Sequence, residues 1–244
     1  MDELIPIKFA EWKTPKQILV ILAHPDDPEF FLGGTIAQWS AAGHDVSYLL
    51  LTRGEKGISE QYPGGESLKK IREKEQQEAA AILGVTQINF LDYPDGYLEV
   101  NLTNRKRLVA EIRKKKPDIV VSCDPQAIFF DSYINHPDHR AAGQLTIDAV
   151  FPASGNPAFF PELLEEGLEP VEIEEVWLSL TREANIILDV SEHWRTRIEA
   201  LKKHKSQIGD PVLFEQKCFD RRESLFGTGD HYYEQFRRIS LRHS

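Results

Sequence analysis

Two short clusters of histidine and aspartate stand out in the 244-residue chain: His24-Pro25-Asp26-Asp27-Pro28-Glu29 and His136-Pro137-Asp138-His139. Each follows a short apolar run, residues 17–22 before the first and 119–123 before the second. Imidazole nitrogens and carboxylate oxygens are the donors of a catalytic zinc site, which takes three protein ligands and keeps a fourth position for water. Two histidines and one carboxylate fill that count. The same donors hold Fe(II), so residue type alone leaves the metal open. A further carboxylate beside such a centre can take a proton from water and return it to a leaving amine. A protonated histidine can stabilise a developing oxyanion. Together these parts suffice for metal-assisted amide hydrolysis.

Something must bring the two clusters into one place. The chain alternates strand-like apolar runs at 17–22, 46–51, 87–91 and 119–123 with helical stretches at 33–42, 67–83, 102–115 and 139–151. Gly43 and Gly84 follow two of the helices, and Pro117 closes the third. Such alternation implies a Rossmann-like, doubly wound, mostly parallel α/β sheet with right-handed crossovers. Its default strand order, 3-2-1-4-5, makes strands 1 and 4 neighbours where the order reverses. Ligands bind there, beyond the carboxyl ends of the strands, and both clusters would sit in that crevice. After Phe151 the pattern is broken by Pro152, Pro157, Pro161 and Pro170, with strands expected at 176–180 and 185–188 and a helix at 192–205. With neither repeats nor a linker, residues 1–244 read as a single domain, with a lead-in at 1–16 packed through Trp12 and a C-terminal elaboration at 152–244.

Composition narrows the partners. A formal charge of −10, from 29 basic and 39 acidic residues, argues against nucleic acid, whose binding rests on Lys and Arg neutralising phosphates, and against anionic membranes. No stretch reaches 18 apolar residues, and the acidic start lacks the features of a signal peptide. The two cysteines, Cys123 and Cys218, form neither a CxxC nor a disulfide framework. A cytoplasmic location is expected. The basic segments at 105–107 and 113–116 read as a solvated helix face rather than a nucleic-acid patch.

An ordered series of motifs resembles the PIG-L/LmbE-like N-acetylglucosaminyl deacetylases. It begins with Ala23-His24-Pro25-Asp26-Asp27-x-Glu29 and Gly33-Gly34-Thr35. It continues through Thr52-Arg53-Gly54-Glu55, Arg72-x-x-Glu75, Asp92-Tyr93-Pro94-Asp95-Gly96 and His136-Pro137-Asp138-His139-Arg140, and ends with Asp189-Val190-Ser191 and His204-Lys205-Ser206-Gln207. The resemblance implies a zinc-dependent hydrolase that removes the acetyl group from an N-acetylglucosamine-type sugar or conjugate. It implies His24, Asp27 and His139 as metal ligands and Asp26 as general base. It implies His136 as electrostatic stabiliser or acid, oriented by Asp138, with Arg72 and Asp95 as substrate contacts. Members are often oligomeric, which allows a homo-oligomer. Some carry a mobile tyrosine shortly before the second cluster; here Tyr133 is the nearest, and Asn135 is an alternative hydrogen-bond donor.

Other readings stand beside these. Glu29 either caps the next helix or orients a ligand. Gly33-Gly34 serves close packing rather than phosphate, since no GxGxxG follows strand 1. His204 and Gln207 brace the pocket. His44, His193, His231 and His243 have no companions in sequence. The alternatives to a deacetylase are a metal-dependent amidase of a larger conjugate and a non-catalytic sugar or nucleotide sensor.

Overall fold

The computed structural model describes residues 5–7 and 12–241. Strands β1 (Gln17–Leu22), β2 (Asp45–Thr52), β3 (Gln87–Tyr93) and β4 (Ile119–Cys123) alternate with helices α1 (Asp27–Ala41), α2 (Glu66–Ile82) and α3 (Leu102–Lys115). Helix α4 (Pro137–Asp148) runs on into a wider helical turn at Ala149–Ser154 and the short α5 (Glu162–Glu165). Then follow β5 (Glu175–Ser179), β6 (Ile186–Asp189), α6 (Trp194–Leu201), α7 (Lys205–Ile208), α8 (Pro211–Phe226) and β7 (Tyr233–Ser240).

The sheet order is β3-β2-β1-β4-β5-β7-β6. The first five strands stand in the expected order and are parallel. β7 and β6 extend the sheet with antiparallel pairing. β1 and β4 lie side by side, Ile18 opposite Ile119 and Val20 opposite Val121. Both faces of β1 are covered, which is why it reads as an unbroken apolar run. Ile18, Val20 and Leu22 pack with Trp39, Tyr48 and Trp177, whereas Leu19 and Ile21 pack with Leu108, Ile112 and Leu145. Each fully buried aliphatic side chain contributes about 1.5–3 kcal/mol. Trp12 packs against Trp39 and Trp177, with ring centroids 5.6 and 5.9 Å away. Residues 1–4 and 8–11 of the lead-in lie outside the described residues. No helix among the described residues is long and apolar enough to cross a membrane.

Several elements differ from the sequence expectation. α1 begins at Asp27 rather than Gly33 and is interrupted at Leu32, with φ −153°. The helix resumes at Gly33-Gly34-Thr35, where the buried Glu234 of β7 accepts from the Gly34 and Thr35 amides at 3.0 and 2.8 Å. A Cβ on Gly33 would come within 2.8 Å of Arg197, and one on Gly34 within 2.7 Å of Val190. Close packing is thus the use of the glycine pair. α4 begins at Pro137, two residues before the expected start, with His136 as its cap. α8 and β7 carried no periodic signal. β7 is recruited by pairing with β5 and β6, and among α8's side chains only Arg222 is buried.

Candidate metal centre

β1 ends at Leu22, and the Ala23 carbonyl is held by the Thr52 amide and hydroxyl at 2.8 and 3.0 Å. This fixes the exit of the chain toward His24. The backbone then turns at Asp26, whose φ of 86° lies in the left-handed region. That conformation costs an L-residue about 1–2 kcal/mol. It also sends adjacent carboxylates apart. Asp27 turns between two imidazoles, while Asp26 Oδ2 accepts from Arg72 Nη2 at 3.1 Å. The second cluster arrives on α4. A Cβ on Gly143 would collide with the Cys123 carbonyl oxygen, so the glycine lets α4 settle on the end of β4. His139, one turn earlier on α4, is thereby carried to the mouth of β1.

Donor atoms of three residues converge. His24 Nδ1 lies 3.2 Å from His139 Nε2 and 3.4 Å from Asp27 Oδ2, and His139 Nε2 lies 3.1 Å from Asp27 Oδ1. A tetrahedral zinc with bonds of about 2.0–2.1 Å sets its ligand atoms about 3.3 Å apart. The separations are of that size, with the two histidines facing different oxygens of Asp27. His136 also approaches, with one nitrogen from each of the three histidines falling within 4.8 Å of the others. His136 Nδ1 already accepts from the Asp138 amide at 3.2 Å.

The partners behind the ligands fix which nitrogen faces the centre. His24 Nε2 meets Asp95 Oδ1 at 3.2 Å and Asp138 Oδ2 at 3.3 Å. His139 Nδ1 meets Asn135 Oδ1 at 3.0 Å. Donation through these nitrogens leaves His24 Nδ1 and His139 Nε2 with lone pairs toward the metal position, the usual arrangement behind metal-bound histidines. The surroundings favour positive charge. Burial disfavours a charged His24, yet Asp27, Asp138 and Asp95 overcome it and push its pKa well up. Burial likewise works to raise the Asp27 carboxyl, but His139 and His24 hold it far below the usual range. Asp95 is held at about 2, burial being outweighed by His24 and the Lys56 amide.

Asp26 sits differently. Burial pushes its carboxyl above its ordinary value against the pull of Arg72, which moves it toward the range useful for a base. Burial, with the neighbouring imidazoles, pushes His136 down. With its Nδ1 accepting, a neutral His136 carries its proton on Nε2 and is a hydrogen-bond donor.

Several expectations are revised by this geometry. Asp138 meets His136 through its backbone amide rather than its side chain; its carboxylate accepts from Gly96 and Leu98 amides at 2.7 and 3.2 Å and faces His24. Asn135 is buried, with one hydrogen of its amide nitrogen given to the Ala127 carbonyl at 2.9 Å and its oxygen toward His139. Tyr133 stacks on Phe130 and lines a neighbouring groove rather than the metal cleft. Arg72 and Asp95 line the cleft, but both are engaged by the protein. Arg72 donates to the Pro25 and Gly54 carbonyls at 2.6 and 2.8 Å, and Asp95 Oδ2 accepts from the Lys56 amide at 2.9 Å. Glu29 does not cap α1; it is buried against Gln76 and His204 and touches none of the candidate ligands directly. His204 and Gln207 brace the pocket as expected, Gln207 donating to the carbonyl of cleft-lining Gly57 at 2.9 Å. The sequence reading did not single out Phe30, Phe31, Lys56 or Gly57, which complete the walls of this cleft of about 480 Å³.

Residues 19–150 match the PIG-L family model, described as GlcNAc-PI de-N-acetylase. The diacetylchitobiose deacetylase of Thermococcus kodakarensis is 40% identical over 197 residues, covering 81% of this chain and 72% of that protein. The chain belongs to the PIG-L family. A second member, the 1D-myo-inositol 2-acetamido-2-deoxy-alpha-D-glucopyranoside deacetylase of Actinosynnema mirum, is 29% identical over 238 residues, covering 80% of this chain and 82% of that protein. Among solved structures, the N,N'-diacetylchitobiose deacetylase of Pyrococcus horikoshii aligns with a TM-score of 0.83 at 34% identity, covering 93% of this chain and 85% of that one. The PIG-L match spans both His/Asp clusters, and named members are N-deacetylases of amino sugars.

One consequence concerns a residue that touches no metal. Asn135→Ala strips His139 Nδ1 of its acceptor and lets the ring turn. Metal affinity, read by chelator competition, is expected to fall about 10–100-fold, the usual effect of losing such a partner. Unchanged affinity would contradict the role given to Asn135.

Proposed function

We propose that this PIG-L protein hydrolyses the N-acetyl group of an N-acetylglucosamine-type sugar, with zinc as its metal and Asp26 as general base. The observation that carries this reading is the His24–Asp27–His139 triangle with a second, differently directed carboxylate, Asp26, beside it. Its spacing matches tetrahedral zinc, although the donor set also accepts Fe(II). A bound divalent cation supplies polarisation of the amide carbonyl and a more acidic water.

The chain's own groups do the rest. His24, Asp27 and His139 offer the donors. Asp26, held by Arg72, accepts the proton of the attacking water and returns it to the departing amine. His136, donating from Nε2, stabilises the oxygen on which negative charge develops. Lys56, held over the Tyr97 ring at 3.3 Å, is the cleft-lining cation best placed to meet sugar hydroxyls. Arg72 and Asp95 act on substrate mainly through the groups they hold. All six proposed catalytic and ligand residues are present, which disfavours a non-catalytic sensor.

A groove of about 570 Å³ adjoins the cleft, sharing Phe30 and Phe31 with it and continuing along Phe214 and Tyr133. Such room favours a substrate larger than one sugar, whether a disaccharide or a conjugate. Acetate release from diacetylchitobiose is therefore expected to exceed that from free N-acetylglucosamine by about 10-fold or more in kcat/KM, the extra ring adding binding energy at the transition state. Equal values would remove the groove from the account, and no acetate from any N-acetylglucosamine compound would remove the function.

A further inference from the structure

We infer that Gln76, braced by a buried His204–Glu29 pair, is the positioning residue that sets the direction of the Asp26 carboxylate. The inference rests on Asp26 being the base. Gln76, Glu29 and His204 are each 0% exposed, and they form one line of contacts. His204 Nε2 lies 3.1 Å from Glu29 Oε2. Glu29 Oε1 accepts from Gln76 Nε2 at 2.9 Å. Gln76 Oε1 accepts from the Asp26 backbone amide at 2.7 Å.

The order of donors leaves one arrangement. The Asp26 backbone N–H can only donate, so Gln76 presents its oxygen there and its NH2 to Glu29. A flipped amide would set oxygen against carboxylate and NH2 against N–H. The Asp26 N–H thus selects the orientation of Gln76, and Gln76 supplies the acceptor that the Asp26 amide lacks at the start of α1. One turn earlier on α2, Arg72 holds the Pro25 carbonyl at 2.6 Å and the Asp26 carboxylate at 3.1 Å. Residues at i and i+4 share one face of a helix, so this single face of α2 grips the chain at Pro25 and at the Asp26 amide. The grip is needed because Asp26 holds a φ of 86°, a conformation that an L-residue leaves unless its surroundings fix it. A side chain serving only to fill the core would need none of these polar atoms.

The test is a double-mutant cycle on the metal-loaded protein, with metal content and Tm measured for each variant. Gln76→Met keeps the length of the side chain and removes both hydrogen bonds. It is expected to lower kcat about 10-fold or more, the scale of a misplaced catalytic group, with KM and metal content unchanged. In the Asp26→Asn background the same substitution is expected to cost nothing further, because there is no base left to misplace. Gln76→Glu keeps an acceptor for the Asp26 amide and, by sharing one proton with Glu29, the second bond; it is expected to stay within about 3-fold of wild type, since the geometry is preserved. Wild-type kcat in Gln76→Met, an equal loss with and without Asp26, or a Gln76→Glu protein no better than Gln76→Met would each overturn the inference. Should Gln76→Met not fold, Gln76→Asn, which shortens the arm and withdraws the acceptor, goes through the same two backgrounds. Loss confined to the protein with Asp26 supports the inference, and equal loss in both overturns it. Failure of the base assignment itself reads differently: Asp26→Asn alone would then turn over like wild type.

Discussion

Asp26→Asn protein is expected to keep its metal and lose at least about 100-fold in kcat, the lower end of what a general base contributes. The substitution preserves size and leaves the backbone bond to Gln76 in place. It removes the negative charge that Arg72 faces at 3.1 Å and the capacity to accept a proton. The neighbouring Asp27 cannot take over. Its two oxygens are committed, Oδ2 to the His24 amide at 2.8 Å and Oδ1 toward His139 at 3.1 Å. Glu29 cannot take over either, because it is fully buried behind Gln76. KM should change little, since the amide still fills the same space. Turnover near the wild-type rate, in protein shown to carry its metal, would end the assignment and turn attention to Asp138 and Asp95, which both lie close to His24.

The second large effect is loss of the metal itself. His24→Ala, Asp27→Ala and His139→Ala should each reduce bound divalent ion from about one per chain to near zero, and abolish activity with it. A site of three protein donors does not survive the loss of one when the third and fourth positions are both water. The three variants differ in what they leave behind. Without Asp27, two imidazoles face each other at 3.2 Å with no carboxylate between them. Without either histidine, the buried Asp27 carboxylate loses one of the two groups that hold it ionised, and an uncompensated buried charge is destabilising. Elemental analysis of the three proteins beside wild type decides the matter, and wild-type metal content in all three would show that the triangle is not the site.

Much of this arrangement was legible in the sequence because its signals are local. His24, Asp26 and Asp27 share one loop after a strand, and His136, Asp138 and His139 share one helix start. Strand-helix alternation then places β1 beside β4 by the rules of parallel sheets. The parts that were missed depend on contacts between distant segments. Asn135 stands beside the second cluster, but that its oxygen turns toward His139 depends on the Ala127 carbonyl, which binds its NH2. Gln76 carries no motif of its own; the one hint was its position a turn beyond Arg72. β7 was invisible because Glu234 and Phe236 are buried by α1 and β6 rather than by a local pattern. The restart of α1 at Gly33 likewise requires Glu234 from the far end of the chain. For Asp138, residue type points to the carboxylate, whereas the contact to His136 at the helix start is made by the backbone amide.

The central claim is that one ion in the His24–Asp27–His139 triangle makes this chain a deacetylase. The most direct measurement strips the protein with chelator, returns zinc in fractions of an equivalent, and follows acetate released from diacetylchitobiose. No acetate is expected from the stripped protein, and the rate should climb in proportion to metal, levelling at one equivalent per chain. Acetate release by fully stripped protein, or none at any loading with zinc or Fe(II), would contradict it.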